Sequence, residues 1–426
     1  MTPLDLAGIG IGPFNLSLAA LARPVPGLRA AFFDRRPEFR WHPGLLLPGT
    51  TLQVPFLADL VSLADPTNPL SFLNYLREHG RLFPFYFAER FHIPRAEYDD
   101  YARWASKRLP SCEFGAEVRS VAWSGDAFEL RFADRDPVLA RSVVLGVGTV
   151  PHLPEPLREL ASGPDAPVVH SASYLGARDR LLTTRRVLVV GSGQSGAEVF
   201  LDQLQHRSTV DGLGWLARTR AFAPMEYSKL GLEQFTPDYT TYFHGLGEQT
   251  RERLLPVQWQ LYKGVDAETL SQIHGALYER GIGGAWPPVT LTPGVEVVSA
   301  RRTAGGVELE VRHVQQGTET ALEVDAVVAA TGYRDTPLDE LLAPLGVDPA
   351  VPLEVDRGYR LRLPEKIPGA VYVQNAERHT HGVGTPDLGL GAWRAASIVN
   401  AVTGRTAYPL PDRTAFTTFG LPTEDQ

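Results

Sequence analysis

Cysteine is almost absent from this chain, because Cys112 is the only one among 426 residues. A single thiol excludes an internal disulfide, a cysteine-rich metal site and any chemistry that needs a redox-active cysteine pair. It is compatible with a reducing compartment, and we expect the protein to work in the cytoplasm.

Long apolar runs and an excess of basic residues are also missing. No stretch of about 18 uncharged apolar residues is present, so we expect no membrane span. The first residues, Met1 to Asp5, carry no basic region before the apolar stretch, so no secretory signal is expected. The net charge is −8 and the isoelectric point is near 5.8, which argues against nucleic acid as a partner. A small molecule is the expected partner.

A glycine turn opens the chain between an apolar strand and a helix. The strand leads into Gly8, Gly10 and Gly12, and the helix pattern begins with Pro13. Such a turn lets the backbone approach a pyrophosphate at the helix N-terminus. Asn15 stands where the fingerprint has its third glycine. Asp34 ends the next apolar strand, close to the roughly 20-residue spacing at which an acid accepts ribose hydroxyls.

A second glycine turn has the full fingerprint. The apolar run Val187–Val190 enters Gly191, Ser192, Gly193, Gln194, Ser195 and Gly196, and a helix pattern follows. The next strand ends in Arg218, with Arg220 beyond it, where an NAD site would have an acid. These bases favour the 2′-phosphate of NADPH over NADH. Two turns of this kind in one chain predict a flavoprotein that is reduced by a nicotinamide.

The length of 426 residues and the 43% hydrophobic content predict a globular protein of two or three domains. Apolar strands at 141–149 and 324–333 flank the second turn, so we expect the second domain to be inserted into the first. The predicted fold class is α/β, with two Rossmann-like dinucleotide-binding domains. FAD is expected on 1–175 and 322–426, and NADPH on 176–321 with a partly helical, substrate-covering insertion at about 222–290. The outgoing linker is marked by Pro151, Pro154, Pro156 and Pro164.

Further motifs occur in an order that is specific when they are taken together. They are Gly8 to Asn15, Trp41 to Gly44, Leu52-Gln53, Phe56 to Val61, Asp65 to Pro69, Phe72 to Leu76, the turn at 191–196, Phe235 to Pro237, Ala330 to Tyr333, His381-Gly382 and Ala392 to Arg394. This set resembles the class B-like flavin-dependent N-hydroxylating monooxygenases of siderophore biosynthesis, which act on lysine, ornithine or diamines. The resemblance extends over nearly the whole chain.

The resemblance implies a mechanism that explains why no catalytic triad, carboxylate pair or metal-ligand cluster stands out. NADPH reduces FAD, reduced flavin and O₂ form a C4a-hydroperoxide, and a neutral primary amine attacks its distal oxygen. Gln53 is expected beside the isoalloxazine ring, where its amide contacts the peroxide or the amine. Trp41, His42, Thr331, Gly332 and Tyr333 are expected at the cofactors. The resemblance also implies a homotetramer or a homodimer.

The substrate prediction rests on one departure from the resembling family. Its amino-acid hydroxylases have a lysine, five residues after the glutamine, that pairs with the substrate carboxylate, whereas this chain has Ala58. A buried carboxylate without a cation costs several kcal/mol. Together with Leu261 in place of a carboxylate-binding asparagine, this favours putrescine or cadaverine. Lys263 could replace the missing charge, so L-lysine is the alternative substrate.

The partner of the distal ammonium is left open among Glu226, Asp238 and Asp387, and Leu388 is expected at the substrate beside Asp387. No metal site is expected, because His379 and His381 have no obvious third ligand. A non-catalytic flavin or nucleotide sensor is a remote alternative. A flavin disulfide reductase is opposed by the single cysteine.

Overall fold

The computed structural model describes residues 2–163, 165–348 and 351–421. Pro164 of the predicted linker, and residues 422–426 of the predicted flavin domain, lie outside these ranges. Across the described ranges, no helix combines the length and apolar character needed to cross a bilayer.

The strands are numbered along the chain. They are β1 Leu4–Ile9, β2 Ala30–Asp34, β3 Cys112–Phe114, β4 Val118–Trp123, β5 Phe128–Phe132, β6 Val138–Leu145, β7 Thr149–Pro151, β8 Val168–His170, β9 Val187–Val190, β10 Leu213–Ala217, β11 Val289–Pro293, β12 Val295–Thr303, β13 Gly306–His313, β14 Glu319–Val324, β15 Ala326–Ala329, β16 Tyr333–Asp335 and β17 Ala370–Val373.

The α-helices are α1 Pro13–Ala22, α2 Phe72–Glu78, α3 Leu82–Ala88, α4 Arg95–Ser106, α5 Glu155–Arg158, α6 Tyr174–Thr183, α7 Gln194–His206, α8 Pro237–Gly245, α9 Glu248–Val257, α10 Trp259–Tyr262, α11 Ala267–Arg280, α12 Asp339–Leu342, α13 Arg378–His381 and α14 Gly391–Thr403. Short 3₁₀ turns occupy Pro43–Leu45, Glu159–Ala161, Ser171–Ser173, Gly231–Phe235, Ala343–Leu345 and Leu388–Leu390.

The first sheet has a parallel core in the order β3-β2-β1-β6, and β17 pairs with β6 in parallel. In the hairpin β4–β5, the strand β5 pairs in antiparallel fashion with the edge of β6 that also pairs with β17. One face of the sheet is covered by α1, α14 and α4, whose apolar side chains form a core rich in tyrosine and phenylalanine. Residues of the hairpin and of the segment 338–367 fill the other face.

The second sheet is parallel throughout, in the order β11-β10-β9-β15-β8. Its core on one face contains Phe200 of α7 and Trp215 of β10, whose rings stack 5.1 Å apart. The other face packs against the antiparallel sheet β12-β13-β14. All strands of this sheet lie in sequence between β6 and β17 of the first sheet.

One strand assignment made from the sequence is wrong. The apolar strand at 324–333 was expected to return the chain to the first sheet, but β15 pairs with β9 and β8 of the second sheet. The strand β8 also lies in the second sheet, although the predicted range 1–175 gave it to the first. Apolar strands of equal character suit either buried sheet, so the pattern alone could not decide between them.

The chain crosses between the sheets twice, and the two crossings pair with each other. The strand β7 leaves the first sheet, β16 returns from the second, and the two are antiparallel. The Thr331 hydroxyl donates to the carbonyl of His152 at 2.5 Å, and His170 Nε2 lies 3.0 Å from the carbonyl oxygen of Gly332. These contacts fix the connection at the carboxyl ends of both sheets.

Replacing Phe200 by alanine tests the core of the second sheet. The side chain is fully buried against Trp215, so the Phe200→Ala change should cost about 3–5 kcal/mol of stability. Phe416→Ala is the matched control, since Phe416 is 88% exposed. Thermal melting should show a large loss for the first variant and almost none for the second. Equal losses would contradict this core assignment.

Candidate active site

A cleft of about 1630 Å³ lies at the carboxyl ends of both sheets. Both glycine turns line it, and so do Gln53, Arg218 and the segment 330–338. Pockets for one small ligand usually measure about 300–1,000 Å³, so this cleft has room for more than one bound group.

In the first turn, Gly10 and Gly12 face the cleft and Gly8 does not. Gly10 has φ +85°, and a Cβ there would come within 2.5 Å of the Gly146 carbonyl oxygen, so no other residue fits. Gly12 precedes α1, whose first residue Pro13 also lines the cleft. The N-terminus of α1 therefore points free N–H groups at the cleft, an arrangement suited to a phosphate. Gly8 has a packing role instead, because a Cβ there would meet the ring of Phe32.

Asn15 supports this turn from behind. Its side chain is fully buried, and Nδ2 donates to the carbonyls of Ile9 (3.2 Å) and Gly10 (2.8 Å). Its Oδ1 accepts from Gln374 at 2.7 Å, and its amide leaves no room for a Cβ on Gly146. The Asn15 side chain thus supports the shape of the turn, and Asn15 is not among the cleft-lining residues.

Asp34 lines the cleft, and protein groups hold its carboxylate. Its Oδ2 accepts from the backbone N–H of Ile11 at 2.7 Å and from Arg36 Nη2 at 2.8 Å. Burial by itself would raise the pKa of Asp34, but the bonds and the charge of Arg36 outweigh it and lower the pKa. The ionised carboxylate thus ties β2 to the glycine turn and faces the place expected for a ribose.

Aromatic rings form the wall between the two turns. The His42 ring lies 4.9 Å from that of Trp41 and 5.8 Å from that of Tyr333. His42 is open to water in the cleft, yet the surrounding protein desolvates it. Together with the charges of Arg95 and Arg36, this lowers the pKa of His42 to about 4. The ring is therefore neutral at neutral pH. Thr331 and Gly332 line the same wall.

In the second turn Gly191 and Gly196 are required by close contacts, whereas Gly193 has room for a Cβ. A Cβ on Gly191 would lie 2.1 Å from the carbonyl oxygen of Ala330, and one on Gly196 would lie 2.5 Å from that of Gly191. Gly193 precedes α7, and Ser192, Gln194 and Ser195 line the cleft with it. Gly196 does not line the cleft and serves helix packing.

Three basic side chains gather beside the second turn. Arg218, Lys263 and Arg378 all line the cleft, and Lys263 Nζ and Arg378 Cζ lie 5.3 and 5.4 Å from the ring centre of Tyr262. Burial, followed by the charges of Arg378 and Arg218, lowers the pKa of Lys263. A Cβ on Gly193 would lie 3.6 Å from the carbonyl oxygen of Lys263, so this group borders the turn.

Gln53 is held by Arg95, a residue that the sequence did not indicate. Gln53 Oε1 accepts from Arg95 Nη2 at 3.2 Å, and Arg95 Nη1 pairs with Glu198 of α7 at 2.8 Å. Glu198 is 3% exposed. An acid within the apolar run Ala197–Leu201 was the one sequence signal that could have marked it.

The remaining predicted substrate residues differ in whether they line the cleft. Leu388 lines the cleft, and Asp387 lies between two lining residues while its Oδ1 accepts from the backbone N–H of Gly389 at 2.6 Å. Ala58 and Leu261 are buried and are not among the lining residues, and Leu261 packs with Tyr239, Phe243 and Val383. In the described parts of the chain, no group of three or more His, Cys, Asp or Glu residues is arranged to hold a metal ion.

Two dinucleotide turns on one cleft define a class of oxidoreductases that bind two nucleotide cofactors. This chain belongs to the L-lysine 6-monooxygenase/L-ornithine 5-monooxygenase family, whose model matches residues 2–335. The resemblance drawn from the motifs is therefore confirmed, and the protein is a flavin-dependent N-hydroxylating monooxygenase.

Individual relatives match over almost the full chain. The rhizobactin siderophore biosynthesis protein RhbE of Rhizobium meliloti (strain 1021) is 46% identical over 99% of this chain and 96% of its own. The putrescine N-hydroxylase of Shewanella oneidensis is 39% identical, over 98% of this chain and 84% of its own. The FAD-bound structure of DfoA, the cadaverine monooxygenase of Erwinia amylovora, superposes with a TM-score of 0.92 at 36% identity, covering 100% of both chains.

The predicted cofactors and fold class are confirmed as well. Solved members of the family hold FAD and NADP⁺, and they share the two dinucleotide-binding domains. The residues of both turns fit these groups, since each turn combines glycines that a Cβ would block with a helix N-terminus at the cleft.

The buried histidine His381 makes stability depend on pH. It is 2% exposed, and burial, with the charges of His244 and Arg394, lowers its pKa to about 3. The folded state thus disfavours protonation of His381. The contribution of His381 to the free energy of unfolding is fully present above the unfolded pKa of about 6.5, and it is lost as the pH falls toward the folded pKa. We expect the melting temperature to drop from about pH 7.5 to about pH 5, and His381→Asn to reduce that drop.

The matched control for this change is His274→Asn, on the exposed side of α11. It should leave the pH dependence of melting as in the wild type. If both variants change the pH dependence alike, His381 is not the group responsible.

Proposed function

We propose that this enzyme N-hydroxylates one primary amine of an aliphatic diamine, putrescine or cadaverine, as an early step of hydroxamate siderophore biosynthesis. When bound, NADPH supplies two electrons and FAD activates O₂. The residues of the chain bind and orient these groups, exclude water and hold the amine.

The observation that carries the proposal is the missing charge at position 58, where the amino-acid hydroxylases of the family have the lysine that pairs with the substrate carboxylate. Ala58 is buried and offers no charge, whereas a substrate carboxylate would have to give up its hydration on entering the protein. An unpaired buried carboxylate costs several kcal/mol, so a substrate without one is preferred. The relatives that act on putrescine and cadaverine support this choice.

The position of Lys263 gives further support. This lysine was the candidate that could replace the missing charge, but it stands with Arg218 and Arg378 beside the second glycine turn. We assign the three cations to the phosphates of NADPH, with Arg218 at the 2′-phosphate. The carboxylate of an amino acid then has no cation of its own.

We assign the first turn and Asp34 to FAD, and Trp41, His42, Thr331, Gly332 and Tyr333 to the region where the two cofactors meet. The second turn, from Gly191 to Gly196, is assigned to NADPH. Gln53 is the proposed catalytic residue, with an amide beside the flavin ring and the reacting amine.

For the distal ammonium we propose the segment that carries Asp387 and Leu388. Burial raises the pKa of Asp387 to about 6, and an ammonium placed beside the carboxylate would lower it again. Asp238 is a weaker candidate, because its carboxylate already accepts from the backbone N–H groups of Thr414 and Ala415. Glu226 is a weaker candidate for the same reason, because its carboxylate accepts from the backbone N–H of Ser228 at 2.6 Å.

L-lysine remains the second candidate substrate, because Lys263 lines the cleft and the family includes L-lysine 6-monooxygenases. The two candidates assign different partners to Lys263. If L-lysine is the substrate, Lys263 pairs with its carboxylate, and if a diamine is the substrate, Lys263 pairs with a phosphate of NADPH.

We also propose that the protein works in the cytoplasm as a homodimer or homotetramer. Support for assembly comes from α3 and its flank, where Phe83, Tyr86 and Phe87 are each more than 70% exposed. Light scattering on the purified protein would measure the mass in solution. The free thiol of Cys112 suits a reducing compartment.

An amine panel tests the substrate. We expect hydroxylated product, coupled to NADPH oxidation, with putrescine or cadaverine at kcat/KM at least about tenfold above L-lysine and L-ornithine, a difference of about 1.4 kcal/mol. Mass spectrometry of the products is required, because NADPH oxidation alone also reports uncoupled turnover. Efficient hydroxylation of an amino acid with inactive diamines would overturn the diamine assignment.

A charge introduced at position 58 tests the carboxylate argument. Ala58→Lys should lower the KM for L-lysine and raise the KM for the diamine, because the new ammonium attracts a carboxylate and repels the second ammonium. Ala58→Met is the control for added volume without charge. If both variants shift the two KM values alike, charge at this position does not select the substrate.

A further inference from the structure

We propose that Arg95 and Glu198 form a positioning pair, which fixes the amide of Gln53 and links it to the second glycine turn. The inference deepens the proposed function, because it assigns Gln53 an active-site role and concerns two residues outside the glycine fingerprints.

Arg95, the first residue of α4, contacts the Gln53 loop at two atoms. Its Nε donates to the carbonyl of Thr51 at 3.1 Å, and its Nη2 donates to Gln53 Oε1 at 3.2 Å. Its backbone N–H also bonds the carbonyl of Thr50 at 3.0 Å. The guanidinium therefore holds both the backbone and the side chain of the segment that presents Gln53 to the cleft.

These partners leave the Gln53 amide only one orientation. A guanidinium can only donate, so the amide oxygen must face Arg95. Gln53 Nε2 donates to the carbonyl of Thr51 at 3.0 Å, and a carbonyl can only accept. The second N–H of the same nitrogen is left to donate to a bound group in the cleft that Gln53 lines.

Glu198 continues the chain of bonds to the second turn. Its Oε2 pairs with Arg95 Nη1 at 2.8 Å, and its Oε1 accepts from Gln194 Nε2 at 2.8 Å. Gln194 is the first residue of α7 and part of the turn, and its Oε1 accepts from the backbone N–H of Asp266 at 2.7 Å. The orientation of Gln194 is thus also determined, by an acceptor on one side and a donor on the other.

The pair joins two parts of the chain that are far apart in sequence. Arg95 and Glu198 are separated by 103 residues, and their side chains are 10% and 3% exposed. Ions buried to this degree are costly unless they are paired, so loss of either partner should destabilise the fold. A displacement of Gln194 on coenzyme binding would therefore reach Gln53 through the Glu198–Arg95 pair.

A structural role and a positioning role predict different outcomes for a double substitution. Arg95→Met and Glu198→Met should each lower the melting temperature, because each leaves one buried charge unpaired. The double variant should recover much of that loss, since a buried ion pair is often replaced by apolar residues at little cost. A positioning role requires that the double variant still release more H₂O₂ and less hydroxylated product per NADPH than the wild type.

The defect must act through Gln53. Gln53→Ala alone should lower product per NADPH, and adding it to the double methionine variant should cause no further loss, because the two changes remove the same interaction. NADP⁺ affinity, titrated by the absorbance of bound FAD, should fall about fivefold or more in the double variant and needs no amine substrate.

Arg178→Met is the matched control, since Arg178 pairs with Asp202 of the same helix α7 but does not contact Gln53. It should leave product per NADPH and NADP⁺ affinity unchanged. A double methionine variant that couples and binds NADP⁺ like the wild type would overturn the positioning role, whatever amine proves to be the substrate. Failure of every amine in the panel, with weakened NADP⁺ binding in the double variant, would reject the proposed function and leave the link to the coenzyme site in place.

Discussion

The paired crossing of the chain between its two sheets is the constraint on which the cleft depends. Because β7 and β16 lie side by side, the carboxyl ends of β1, β6, β9 and β15 open onto one space. Ligands of open α/β sheets bind at the carboxyl ends of the strands, so two such edges on one cleft allow two nucleotides to meet. Thr331 and His170 strengthen the crossing with hydrogen bonds to the opposite segment.

Close backbone approach explains why the two glycine turns tolerate different sequences. In the second turn Gly196 must pass within van der Waals distance of Gly191, so the third glycine is obligatory there. In the first turn Asn15 takes that place, and its amide binds the carbonyls of the turn. Gly146, which follows β6, has no side chain and so leaves the space that the Asn15 amide occupies. The departure from the fingerprint is thus compensated by a glycine more than a hundred residues away in sequence.

The charged side chains are distributed differently in the two parts of the cleft. Beside the second turn, Arg218, Lys263 and Arg378 lack a carboxylate within ion-pair distance among the residues that the structure describes, which suits the phosphates of a coenzyme. Beside Gln53, the charge of Arg95 is balanced by Glu198. A diamine has no anion to match, so a substrate site without a free cation agrees with its chemistry.

Local patterns in the sequence determined both glycine turns, the helices that follow them and the nucleotide cofactors, because these depend on residues adjacent in the chain. They also determined Ala58 as the departure that concerns the substrate. Only the tertiary structure decided that β15 belongs to the second sheet, since two buried parallel sheets accept the same apolar strands. It alone placed Lys263 beside the second glycine turn and joined Gln53 to Gln194 through Arg95 and Glu198, because a buried ion pair across 103 residues leaves no local periodicity to be recognised.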